Sequence, residues 1–188
     1  MLLLFGLLPE GAIGGGFIPA RVGAGDVVGP VPMLPVPLTP LSATLVHGGL
    51  LHLGFNLLML VYAGRQAERA LGTAGMLVLY GLGAYVAALG QWIAGQDSTV
   101  PMIGASGAIS AIVGAYALLF GERRAKAIGP VPAGVVHVAW LAAGWIGIQL
   151  LIGATDRNQP IAIAAHIGGF LAGLALARPL LMWRWRGA

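Results

Sequence analysis

From Leu41 to Ala63, Thr73 to Ala94, Val131 to Gly153 and Ile161 to Ala177, the chain runs without a formal charge. Apolar stretches of about 20 residues are long enough to cross a hydrocarbon core about 30 Å thick as α-helices. In lipid, a helix or a closed barrel must satisfy every backbone N–H and C=O internally. The pattern therefore predicts an all-α polytopic membrane protein. Composition agrees, with 58% hydrophobic and 9% charged residues. The net charge of +4 raises the question of nucleic acid, but the basic residues are scattered between the spans, with no basic face or recognition motif. The lipid bilayer is the expected partner, and nucleic acid is not. The chain has no cysteine, which excludes a disulfide frame, a thiolate metal site and a thiol nucleophile. Four histidines are left to carry any base or metal chemistry.

In chain order, Met1 to Leu8 is apolar but too short to cross a bilayer, and Pro9-Glu10 interrupts it. No basic segment precedes it, so a signal peptide fits poorly, and residues 1–16 read as the remnant of a first helix cut short. Residues 17–40 carry Pro30, Pro32, Pro35, Pro37 and Pro40 and predict an extended outer loop. Thr39-Pro40 reads as an N-cap and first helical position. Helices are then expected over 41–63, 73–94, 104–120, 131–153 and 161–177 in a single membrane domain spanning 1–188. Val100 to Ile103 is an apolar, Pro-broken lead into the third of these.

The connectors fix an orientation. Arg65, Arg69, Arg123, Arg124, Lys126, Arg178, Arg184 and Arg186 fall on one side, leaving Arg21 and Arg157 on the other with Glu10, Asp26, Asp97 and Asp156. By the positive-inside rule the first side is cytoplasmic. At about 1.5 Å per residue, Ser106 lies about 24 Å above Glu122, His52 about 20 Å above Arg65 and His166 about 18 Å above Arg178. Three spans thus put costly polar groups at one level in the outer half of the membrane, the usual mark of a cavity or pathway.

Ser106 sits in Gly104-Ala105-Ser106-Gly107 at the mouth of an apolar helix. Glycines there allow a tight turn and close substrate approach, and a helix N-terminus aims unpaired N–H groups at whatever the hydroxyl attacks. His166, the one histidine of the last span, is the candidate general base. Every Asp and Glu lies at or beyond the end of a span, so a Ser–His dyad is expected rather than a carboxylate triad. His52 and Asn56, spaced i, i+4, share a helix face and can donate toward one point, forming an oxyanion hole with the Ser106 N–H. His47 lies about 140° round that helix and is assigned to ordering the loop. This chemistry requires no cofactor, and no metal site is expected.

His47-Gly-Gly-Leu-Leu-His52-Leu-Gly-Phe-Asn56, then Gly104-Ala-Ser106-Gly107, then Ala165-His166-Ile-Gly-Gly169-Phe-Leu-Ala-Gly173 resemble, in order, the three signature stretches of the rhomboid intramembrane serine proteases. The resemblance covers nearly the whole chain from Phe17 onward. It implies a rhomboid-like six-helix bundle and a serine endopeptidase that cleaves transmembrane helices of other membrane proteins near the outer face. It also implies a bacterial inner (plasma) membrane location with the site opening outward, and oxyanion roles for His52 and Asn56. Two departures stand out: the incomplete first helix, and Ser110 at a position that is often aromatic beneath the family's catalytic histidine.

Other readings bear on the same residues. Gly107, Ser110 and Gly114, with Gly169 and Gly173, follow small-xxx-small spacings that bring helices together without catalysis. Close approach is also what a Ser–His hydrogen bond requires. A non-catalytic rhomboid-like protein that binds or escorts transmembrane helices is the alternative, disfavoured because both dyad members are present. A metal or proton transporter is disfavoured by the lack of an intramembrane carboxylate or an inverted repeat. His137, alone near Trp140 and Trp145, reads as structural or interfacial.

Overall fold

The computed structural model describes residues 8–24, 31–121, 125–155 and 162–186. These residues form an all-helical membrane bundle. Its helices are α1 (Leu8–Gly15), α2 (Thr39–Ser42), α3 (Leu50–Met59), α4 (Arg65–Ala94), α5 (Ser106–Phe120), α6 (Ala133–Thr155) and α7 (Ile163–Arg184). A π-helical stretch, Leu60–Gly64, joins α3 to α4. The chain reverses within α4 at Gly72, whose φ of 75° and ψ of 164° are not helical. A Cβ on Gly64 would stand 3.2 Å from Met76 Cε, whereas twelve residues of straight helix span about 18 Å. Residues 50–71 and 73–94 are therefore two limbs of a hairpin. The second limb matches the expected span over 73–94.

The arrangement consists of α1, the two limbs of this hairpin, α5, α6 and α7. At eight residues α1 is about 12 Å long. The part of the expected first-helix remnant at residues 1–7 lies outside the described residues. In the outer loop, residues 25–30 do so as well.

Several boundaries depart from the sequence reading, and the first span also stays helical past Ala63, through Arg65 and Arg69, as far as the reversal at Gly72. The helix expected over 41–63 begins only at Leu50. Before it come the single turn of α2, a 3-10 turn at Ala43–Leu45, and Gly49, whose φ of 155° and ψ of 174° belong to a region essentially reserved for glycine. Thr39 does not cap a helix: it lies within α2, and its hydroxyl donates back to Val36 O at 2.7 Å. The serine helix starts at Ser106 rather than Gly104, because Gly104 takes a φ of 104°. The last helix runs through Pro179 to Arg184 instead of stopping at Ala177. Proline forfeits one helical hydrogen bond, but here Leu180 is buried and the Arg184 guanidinium donates to Arg69 O. Those tertiary contacts carry the helix past the break.

The core lies where α4, α5 and α7 meet, with Leu79, Ala111, Ile112, Ala115 and Phe170 buried among them. Helices in lipid gain little from hydrophobic contact with one another and associate through close packing of small residues. A Cβ on Gly169 would collide with Gly107 O, one on Gly173 with Ala111 O, and one on Gly114 with Phe170 O. These positions let α5 and α7 touch backbone to backbone.

The segment before α3 closes over the start of α5. Phe17 N donates to Met102 O at 3.0 Å, Met102 N to Phe17 O at 2.8 Å, Ala20 N to Ser98 O at 3.0 Å and Gly104 N to Ala43 O at 2.9 Å. Irregular backbone next to lipid must be satisfied by protein or by water in a cavity, and these bonds do that for the lead into α5. Gly173→Val is expected to destabilise the bundle by about 3 kcal/mol or more through overpacking against the α5 backbone. Thermal unfolding in detergent checks this, and an unchanged Tm would refute the backbone contact.

Candidate active site

Ser106 opens α5 as its first residue, so its hydroxyl stands at the helix mouth beside N–H groups that have no partner within the helix. His166 lies one turn into α7, its own N–H bonded to Ala162 O at 3.1 Å. The α5–α7 contact at Gly107 and Gly169 flanks both residues, and His166 Nε2 meets Ser106 Oγ at 2.7 Å. On its other edge His166 Nδ1 meets Gln149 Oε1 at 2.9 Å. The amide oxygen can only accept, so a neutral ring bonded to it carries its proton on Nδ1 and turns its Nε2 lone pair to the serine O–H.

Gln149 is not among the residues that the motifs single out. A dyad without a further partner was expected, and the structure adds a neutral amide from α6. A signal was available: Gln149 is an uncharged polar residue in the outer half of an apolar span, about 27 Å along the helix from Val131 and close to the level assigned to Ser106.

His52 and Asn56 reach the same point from α3. His52 Nδ1 accepts the Gly48 N–H at 3.2 Å, so the ring proton is on Nε2. That edge lies over Gly104: a Cβ there would stand 2.6 Å from both His52 Cε1 and Nε2, and 3.8 Å from Asn56 Nδ2. Asn56 is buried and spends one amide hydrogen on His52 O at 2.9 Å. Two donors thus converge on the residue that turns the chain into the serine helix.

His47 is buried, its ring 5.1 Å from that of His52, edge to face, with Nε2 at 3.5 Å from Ala105 N. It touches the loop rather than the space above Ser106. Ser110 lies beneath the mouth of α5, where its hydroxyl donates to Ser106 O at 2.8 Å. His137 is buried in α6, twelve residues or about 18 Å from Gln149, and takes no part in the cluster.

A cavity of about 910 Å³ opens above the pair, with Ser106, His166, His52, Asn56 and Gln149 among its polar lining and Phe55, Met59 and Trp145 among its apolar lining. It is roomy enough for water and for an extended peptide segment. A hydroxyl bonded to an imidazole nitrogen, with N–H donors converging beside it, is an arrangement capable of acyl transfer.

Comparison with known proteins places this architecture in a class. The rhomboid domain model matches residues 38–183, and the chain belongs to the rhomboid family. It is similar to the rhomboid protease GlpG of Yersinia pestis (strain Pestoides F) and of Yersinia enterocolitica serotype O:8 / biotype 1B, 36% identical to each over 129 residues. The match covers 68% of this chain and 42% of either relative, so the chain spans less than half the length of these proteins.

The Gly104 environment yields a direct test. Ala at this position meets both a positive φ and the His52 ring, a strain of about 1–3 kcal/mol. Gly104→Ala should therefore lower Tm in detergent by several degrees. An unchanged Tm would mean that the His52 ring is not seated over this residue.

Proposed function

We propose that this chain is an intramembrane serine endopeptidase that cleaves transmembrane helices of other membrane proteins near the outer face, with Ser106 as nucleophile and His166 as its base. The observation that carries the reading is the 2.7 Å contact between Ser106 Oγ and His166 Nε2 at the wall of a cavity set among apolar helices. A protein that only escorted helices would need neither the hydroxyl nor the imidazole in this relation.

In the first step Ser106 Oγ attacks the scissile carbonyl carbon while His166 Nε2 takes its proton. The carbonyl oxygen becomes an oxyanion facing His52 Nε2–H, an Asn56 Nδ2–H and the Ser106 backbone N–H. The imidazolium returns the proton to the leaving amide nitrogen, the C–N bond breaks, and an acyl-serine remains. Water from the cavity, deprotonated by His166, attacks that ester and releases the second product with the serine proton restored. A substrate helix hides its carbonyls in i to i−4 hydrogen bonds, so it must unwind locally before the first step. The concentration of basic residues on the side opposite the mouth of α5 supports a cavity that opens outward from a bacterial inner membrane.

Ser106→Ala and His166→Ala should each abolish cleavage of a reconstituted transmembrane substrate, and the double variant should be no worse than either single one. Asn56→Ala and His52→Ala should lower kcat by about 10²–10³ with little change in KM. Cleavage assays with folded, detergent-purified variants decide this. Near-normal turnover by His166→Ala overturns the assignment of the base, and loss through KM alone overturns the oxyanion roles.

A further inference from the structure

We propose that Gln149 is the positioning residue for the catalytic base: its side-chain oxygen holds the proton of His166 on Nδ1 and so keeps Nε2 free to accept the proton of Ser106. The proposal rests on the protease reading above and adds to the dyad a member contributed by a third helix.

The geometry comes from two rungs between antiparallel helices. Trp145 and Gln149 are spaced i, i+4 on α6, while His166 and Phe170 are spaced i, i+4 on α7, so each pair shares one helix face. The rings of Trp145 and Phe170 stack at 4.9 Å with an interplanar angle of 8°. Trp145 Nε1 also donates to His166 O at 3.3 Å. This rung fixes the height and rotation of α6 against α7, and one turn along it brings Gln149 Oε1 to His166 Nδ1 at 2.9 Å. Gln149 is 4% exposed in a helix that is largely turned outward, with Val135, Trp140, Ile148, Leu150 and Leu151 exposed. An amide buried on the one face that meets the histidine is costly unless it is satisfied there.

The consequence is chemical. A neutral imidazole carries one N–H, and a ring with that proton on Nε2 has no lone pair for Ser106. Gln149 selects the productive tautomer and continues to accept from Nδ1 when the ring becomes a cation in the transition state. It touches neither the serine nor the reacting carbonyl, so its effect belongs in kcat. The base is set only while α6 is seated on α7 at the Trp145–Phe170 rung.

The test compares Gln149→Leu, which removes the acceptor at similar volume, with Gln149→Glu, which keeps it. Two readouts are used: cleavage kinetics, and 15N spectra of histidine-labelled protein in detergent, with the His166→Ala spectrum assigning the ring. The parent should show His166 protonated on Nδ1. Gln149→Leu should lose that single tautomer and drop kcat by about 10- to 150-fold at unchanged KM, as expected for removing one hydrogen bond to a charged ring. Gln149→Glu should retain the Nδ1 tautomer and most of the turnover. A Gln149→Leu protein whose tautomer and kcat both match the parent overturns the positioning role and leaves the protease reading intact. A parent that shows the Gln149-dependent tautomer but cleaves no substrate supports the positioning role and overturns the protease reading.

Discussion

Everything at the site depends on the direct backbone contact between α5 and α7. Gly169 lies against Gly107 O and Gly173 against Ala111 O, places where even a methyl group would collide. In lipid, apolar side chains give helices little reason to prefer one another over acyl chains, so close backbone approach supplies both affinity and register. Here the register also carries chemistry: Ser106 precedes Gly107 by one residue, and His166 precedes Gly169 by three. A hydrogen bond of 2.7 Å tolerates little relative shift of the two helices. The small-residue pattern that could be read as mere packing is therefore the frame that sets the distance between the Ser106 hydroxyl and the His166 imidazole.

A second constraint is that the chain must enter α5 through non-helical backbone. Met102 and Gly104 find partners in Phe17 and Ala43, so the chain between residues 17 and 43 serves as the hydrogen-bonding complement of this lead. Gly104 then turns at a φ of 104° with the His52 ring against its Cα. That turn brings α3 donors and the mouth of α5 to one place, while the bond from Gly48 to His52 Nδ1 decides which edge of the ring can donate. Fold and electrostatics meet in a handful of residues from 47 to 56 and from 102 to 107.

Much of this was legible from residue type and spacing. The span over 73–94 was readable because its charged and polar borders coincide with the reversal at Gly72 and the end of α4 at Ala94. The common level of Ser106, His166 and His52 followed from depth counting along separate helices, and Asn56 from its i, i+4 spacing with His52. What escaped was set by tertiary contact. Apolar composition alone cannot distinguish residues 41–49, which fold as turns and extended chain, from the helix that begins at Leu50, because both are uncharged. Pro179 looked like a terminus, yet burial of Leu180 and the contact of Arg184 with Arg69 carry α7 beyond it. The depth and polarity of Gln149 mark it in the sequence, but periodicity in a lipid-exposed helix does not reveal which face meets a neighbour; the rung that Trp145 makes with Phe170 supplies that face.

The central claim is that the helix contact turns one hydroxyl among several into a nucleophile. Its most direct test is the site of a covalent adduct. The purified protein is treated in detergent with a serine-directed fluorophosphonate, and intact mass and peptide mapping locate the label. The account predicts a single adduct on Ser106, none on Ser42, Ser98 or Ser110, and none at all in His166→Ala. Labelling of another serine in preference to Ser106, or undiminished labelling of Ser106 without His166, would contradict it.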